Sequence, residues 1–248
     1  PYAQDAPFVA SQPKLYAETV VKDGVSLVFY TPDVEEEDKL IAFVERFLDH
    51  VMRLEEIHHR PLLIALEEAH EYDPISPAGH VASPWVFNRM IRACKNLWKG
   101  GRKRNIVPVA ITQRPQELNF STRQLCNVSL YGQFSGQDIS YIDKQCIEPY
   151  RKQGMKISAS GLAEMKAGHF LIIHRGKAEY HERTVQRVTP HGADTPELDS
   201  VPPASSQVQT VISSLGQQLK SMQEKQAAEE SETEKLKHRL KTLEKHLA

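Results

Sequence analysis

Short apolar runs alternate along the chain with longer stretches of helical periodicity. Residues 25–30 (VSLVFY) are β-branched and aromatic between Gly24 and Pro32, which predicts a strand. Leu40, Ile41, Val44, Phe47, Leu48, Val51 and Leu54 then recur at helical spacing, with acidic residues at 35–38 ahead of them, where a helix dipole favours carboxylates. Pro61 ends that helix, and LLIAL at 62–66 is continuously apolar, as a strand buried on both faces of a parallel sheet should be. The pattern predicts helix over 85–99, a second buried strand over 106–112, a short helix over 118–126, a strand over 128–131 and helix over 137–151. FLIIH at 170–174, Arg175-Gly176-Lys177 and residues 178–185 read as a closing hairpin. Residues 1–23 show no period and read as irregular; 72–84, rich in Pro, Gly, Ser and His, read as an exposed loop. Strands alternating with helices predict an α/β fold with crossover helices.

The C-terminal stretch differs in kind. After a linker at 190–206, Val208, Ile212, Leu215, Leu219 and Met222, then Leu236, Leu240, Leu243 and Leu247, fall at alternating four- and three-residue steps, with Gln226, Glu229 and Thr233 keeping register between them. That spacing predicts a coiled coil over 207–248 with a polar middle, joining a second copy or another protein. A solvated single helix is the alternative.

Composition narrows the class. Of 248 residues, 31 are Lys or Arg and 32 are Asp or Glu, a net charge of −1, with 40% hydrophobic residues. This excludes a globally basic nucleic-acid coat and a wholly disordered chain, and suits one α/β domain with an appendage. The three cysteines, Cys94, Cys126 and Cys146, have no metal-ligand spacing and are a poor disulfide framework. No apolar run approaches the roughly 18 residues that span a bilayer, and the first residues lack a signal core, so a soluble, cytoplasmic protein without a membrane partner is expected. The chain begins at Pro1 rather than Met, which fits processing or a piece of something longer.

The chemistry concentrates in LLIALEEAH, residues 62–70. An apolar strand there delivers Glu67 and Glu68 to its C-terminal end, where open α/β sheets place ligands. One carboxylate, Glu67, suits Mg²⁺ held through water, and Glu68 suits polarising the attacking water in nucleotide hydrolysis. Both could instead simply begin a solvated helix. The strand at 106–112 leads into Gln113, an amide able to orient water or sense a γ-phosphate, or else to cap a turn. Before that strand, the loop around Lys99, Arg102, Lys103 and Arg104 offers Arg102 as an arginine finger acting on a neighbouring subunit. Competing readings of the loop are a DNA patch of Lys99, Lys103 and Arg104 contacting phosphates, and an ordinary basic turn.

Taken in order, LLIALEEAH, GRK at 101–103, VPVAITQRP at 107–115, LCNVSL at 125–130 and GHFLI at 168–172 resemble the motor domain of the HerA/FtsK superfamily of ring ATPases, nearest to HerA. The resemblance spans about residues 24–188 and implies a RecA-like P-loop ATPase core, here a partial one over 1–189, running from Walker B to the C-terminal strands. It implies that Glu67 and Glu68 form the Walker B pair, that Gln113 is the sensor and that Arg102 is the trans finger, with ATP and Mg²⁺ as cofactors. It also implies a hexameric homo-oligomer translocating double-stranded DNA, often beside a nuclease or other effector. Glu67 stands where many relatives have Asp. No GxxxxGK[ST] pattern occurs in the 248 residues, so there is no Walker A here and the chain alone is expected to be inactive. With strands at 25–30, 62–66, 106–112 and 128–131 taken as the second to fifth of the core, the expectation is a first strand and P-loop encoded upstream. Two alternatives remain: a conjugation or secretion coupling ATPase of the same superfamily, and a non-catalytic ATPase-like scaffold recruiting partners through its coiled coil.

Overall fold

A computed structural model describes residues 6–29, 37–76, 83–134, 136–174, 177–181 and 205–247. It is a mixed α/β structure that divides into two compact units, one of residues 1–54 and 203–248, the other of residues 55–202.

In the first unit, α1 (Pro13–Glu18) and a π-helical turn over Thr19–Asp23 replace the second half of the irregular segment expected over 1–23, whereas residues 6–12 carry neither helix nor strand. The helix is six residues long and enters on Pro13 without a side-chain cap, so periodicity has too little length to register. Gly24, at φ 73°, closes the turn in the left-handed region. Residues 25–29 form no strand and pair with no described strand, against the expectation for 25–30; Tyr30 lies outside the described residues. Val25 is buried, Leu27 and Phe29 pack on the unit's core, and Val28 faces solvent. The β-branched and aromatic residues that predict a strand are thus used in packing, without a described strand partner for the backbone. That core is aromatic. Phe29 and Phe47 meet edge to face at 5.2 Å, Phe8 and Phe43 at 4.8 Å, and the Tyr16 hydroxyl donates to Pro7 O at 3.0 Å while accepting from Val9 N at 2.9 Å. The long helix α2 (Glu37–His58) supplies Phe43 and Phe47.

The second unit holds two sheets. β1 (Leu62–Leu66) is followed by the single turn α3 (Ala69–Tyr72) and by α4 (Pro84–Gly100), a 3₁₀ turn at Gly101–Arg104, and β2 (Ile106–Ala110). β1 and β2 pair in parallel, Leu62 with Ile106 through Leu66 with Ala110. They are not buried on both faces as expected: Leu63 is 64% exposed and Val107 58%. Then come α5 (Phe120–Leu125), β3 (Val128–Tyr131), α6 (Gly136–Ile142), a π-helical turn at Asp143–Ile147 and α7 (Glu148–Arg151), followed by β4 (Phe170–His174) and β5 (Lys177–His181). β3 does not extend the parallel pair. It joins β4 and β5 in a separate antiparallel sheet of order β3-β4-β5. An apolar four-residue run carries no information about the direction of its partner, and here the hairpin of β4 and β5 captures it. Of the hairpin, Arg175, Gly176 and residues 182–185 lie outside the described residues, as does most of the 190–206 linker.

α8 (Ser206–Leu247) forms the predicted C-terminal helix. Two of its seam residues, Leu215 and Leu219, are buried on the aromatic core of the first unit with Phe43 and Tyr16. That part of the seam is spent within the chain, whereas Leu236 further along is 59% exposed.

Candidate functional site

The site begins where the parallel ladder ends. Ile111 N donates to Leu66 O at 2.9 Å, and in an uninterrupted parallel ladder Ile111 O would accept from residue 68. It accepts from Ala69 N instead, at 2.8 Å. The chain therefore carries one residue too many at the end of β1, and Glu68 absorbs it in the left-handed region at φ 47°, ψ 49°. For a residue with a Cβ this costs about 1–2 kcal/mol. The excursion sets both carboxylates at the strand end and starts α3 at Ala69. Glu68 Oε1 accepts from Gln113 Nε2 at 3.0 Å, so the two residues expected to cooperate do meet, 45 positions apart in sequence. Glu68 Oε2 is enclosed without a hydrogen-bond partner; the His70 ring lies 3.5 Å away. Glu67 is exposed and makes no ion pair with a described residue.

His70 was not assigned from the sequence, although it stands in the same motif. It is 5% exposed, with Nδ1 2.8 Å from Thr112 Oγ1 and Nε2 3.3 Å from Glu71 Oε1 and 4.0 Å from Glu117 Oε2. Thr112 Oγ1 already accepts from Arg114 N at 3.0 Å. The assignment that satisfies all three groups has the Thr112 hydroxyl donate to Nδ1, with the ring proton on Nε2 toward Glu71. His70 thereby ties the turn after β1 to the residue preceding Gln113. The signal available was a histidine two positions past the carboxylates; its burial was not legible.

The segment after α3 is also pinned, where an exposed loop was expected. Asp73 is buried, Thr122 Oγ1 donates to its carboxylate, its carbonyl accepts from Asn119 N at 2.8 Å, and Ile75 N donates to Glu117 O at 2.9 Å. Burial pushes the Asp73 carboxyl above its ordinary range, partly offset by the Thr122 hydroxyl. Residues 77–82 of that expected loop lie outside the described residues.

The basic loop sits at the other end of the strands. Asn105, left-handed at φ 58°, anchors it by donating from Nδ2 to His59 O at 2.8 Å and accepting from Leu62 N at 3.1 Å, just before β2 begins. A five-residue strand is about 16 Å long, so Arg102 stands well away from Glu68 of its own chain. Arg104 is engaged by Glu56 and by Gly100 O at 3.3 Å. Lys99, Arg102 and Lys103 are exposed.

Among the described residues no group of three or more His, Cys, Asp or Glu side chains could hold a metal, and no described helix is long and apolar enough to cross a membrane. A single exposed carboxylate beside an enclosed, unpaired carboxylate oxygen fits Mg²⁺, which keeps most of its ligands as water and phosphate, better than a cation requiring a protein cage.

No family model matches the chain, and no curated protein matches it. Among solved structures, the chain is similar to the genome packaging NTPase B204 from Sulfolobus turreted icosahedral virus 2 in complex with ATP-gammaS, at 13% identity over 73% of this chain and 74% of that one, with a TM-score of 0.49. It is likewise similar to B204, the DNA-packaging ATPase from Sulfolobus turreted icosahedral virus, at 14% identity over 73% and 80% of the two chains, with a TM-score of 0.45. At this level the likeness bears on no individual residue.

Proposed function

We propose that this chain carries the acidic, hydrolytic half of a nucleoside-triphosphatase site of the HerA/FtsK type, within a ring motor that translocates double-stranded DNA. The observation that carries the reading is the hydrogen bond from Gln113 to Glu68 across the C-terminal ends of two adjacent parallel strands, at a residue held in a strained left-handed conformation. Glu68, with its Oε1 held by Gln113 and its side chain still partly exposed at the strand end, orients and deprotonates the attacking water. Gln113 bridges that base and the position of the terminal phosphate. Glu67 holds Mg²⁺ through water; the ion supplies neutralisation of the charge that develops on the phosphates. His70 and Thr112 hold the two strand ends in register. Arg102 lies too far along the strand pair to serve its own Glu68, so as a finger it acts on a neighbouring subunit of a hexamer. The distal part of α8, beyond Met222, contributes the partner-binding coiled coil. The reading requires a phosphate cradle from outside these 248 residues.

In the full-length protein, Glu68→Gln is expected to lower DNA-stimulated ATP turnover by about 10²–10⁴-fold, the range for loss of a general base, with ATP binding retained. Unchanged turnover removes the assignment. Arg102→Ala subunits mixed with Glu68→Gln subunits should regain turnover if the finger acts in trans; activity no greater than dilution predicts removes that role. A second reading, a nucleotide-free scaffold that recruits partners through α8, draws on the exposure of the seam residue Leu236. It predicts that neither substitution changes any property except local stability.

A further inference from the structure

α4 is amphipathic in an unusual way. Its inner face, Phe87, Met90, Cys94 and Leu97, is buried. Its outer face carries Trp85, Asn88, Arg92, Lys95, Asn96 and Lys99, all exposed and all within about 100° of arc at 100° per residue. Residues 85–104 contain seven cations and no carboxylate, although the whole chain is balanced at 31 to 32. On other helices several cations pair with a carboxylate one turn away, as in Lys22 with Glu18, Arg53 with Asp49 and Lys152 with Glu148. On α4 the sequence places no carboxylate within one turn of any cation. Arg92, Lys95 and Lys99 make no ion pair with a described residue, and their one-turn spacing sets like charges beside each other, which weakens an isolated helix. The helix dipole favours Lys99 near the C-terminus but not Arg92 and Lys95 in the middle. Exposed Arg102 and Lys103 continue the stripe past the helix end, while Arg104 is taken by Glu56.

We infer that the outer face of α4, through Arg92, Lys95, Lys99 and Lys103, binds the phosphate backbone of duplex DNA. From Arg92 to Lys103 the stripe runs about 16 Å, on the order of five phosphates at 3.4 Å per nucleotide of one strand. A single-sign row of exposed cations, three of the four on flexible lysine stems, suits a repeating backbone read without regard to sequence. Trp85, 66% exposed at the start of the row with the Arg89 guanidinium 4.9 Å from its ring centre, adds an aromatic surface at the margin of the contact. The inference shares its partner with the motor reading but not its site: the face requires no nucleotide.

The test is fluorescence anisotropy of the 248-residue chain with a labelled duplex of about 25 base pairs, titrated between about 50 and 200 mM salt. Wild type should bind, with log affinity falling linearly with log salt. The triple variant Arg92→Gln, Lys95→Gln, Lys99→Gln should bind more weakly and lose about 2.7 from the slope, at 0.9 per phosphate contact. Gln preserves helix propensity, and unchanged circular dichroism and melting confirm the variant is folded. A control triple on α8, Lys220→Gln, Lys225→Gln, Lys235→Gln, should leave the slope as in wild type. Glu68→Gln should bind duplex like wild type, so failure of hydrolysis and failure of this surface read separately. No wild-type binding at the lowest salt, an unchanged slope in the α4 triple, an equal loss in the α8 control, tighter binding of single strands, or equal competition by polyglutamate would each overturn the inference.

Discussion

The two sheets of the second unit are built from similar apolar runs and end in opposite conditions. In the antiparallel sheet, Leu171 and Ile173 of β4 are buried in a core with Ile142, Ile147, Leu162 and Met165. In the parallel pair, β1 buries only Ile64 and β2 only Ile106, Leu63 and Val107 face outward, and the strand ends carry a carboxylate on a left-handed residue, hydrogen-bonded to an amide. One sheet spends its residues on stability; the other holds groups where a ligand can reach them. The contrast shows that a run of apolar residues predicts a strand, while its surroundings decide whether the strand is core or platform.

The contrast can be broken by four substitutions. The largest effect belongs to Glu68→Gln, whose loss of turnover should come with an unchanged melting temperature; a matching loss of stability would make Glu68 a structural residue like those of the other sheet. Next is Leu171→Ala, expected to cost about 2–5 kcal/mol in denaturant unfolding, against less than about 0.5 kcal/mol for Leu63→Ala. Equal costs would show that β1 is as buried as β4. Smaller is Glu68→Gly, which keeps the left-handed turn without a Cβ and should raise stability by about 1 kcal/mol while abolishing turnover. A drop in stability would remove strain as a feature of the site.

The smallest effect is a pH dependence. The folded-state pKa of Asp73 is raised above its ordinary 3.8 by burial, so the folded protein holds that proton more firmly than the unfolded chain. Its contribution is complete below about pH 3.8 and is lost as pH rises through the folded-state value. Asn at this position still accepts from Thr122. The melting temperature of Asp73→Asn relative to wild type should therefore rise from pH 3.5 toward neutrality, and a difference that is flat with pH would show that burial leaves Asp73 unperturbed.

Much of the helical structure was legible. The helices observed at Glu37–His58, Pro84–Gly100 and Ser206–Leu247 follow their periodicity closely, because a long amphipathic repeat has one way to hide its apolar face. Residues 62–66 and 106–110 were legible as strands for their length and composition. The segment 25–29 was not, since a β-branched and aromatic run records residues that can pack and says nothing of a backbone partner. The meeting of Glu68 and Gln113 could be anticipated from strand ends alone. His70 could not, because one histidine is the same letter whether it is buried against Thr112 or solvated.

By itself, the order of residues determined the amphipathic helices, the two carboxylates at the end of an apolar strand and the amide at the end of another, because periodicity and strand ends are local properties. It also set seven cations without a carboxylate along 85–104. Tertiary structure decided which strands pair and in what direction, which half of the α8 seam is spent on Phe43 and Tyr16, and which cation of the basic run is claimed by Glu56. It also placed the surplus residue at Glu68, where the ladder forces the carboxylate into a left-handed turn. These depend on partners distant in the chain, and a hydrogen bond or a buried contact exists only once both sides have been brought together.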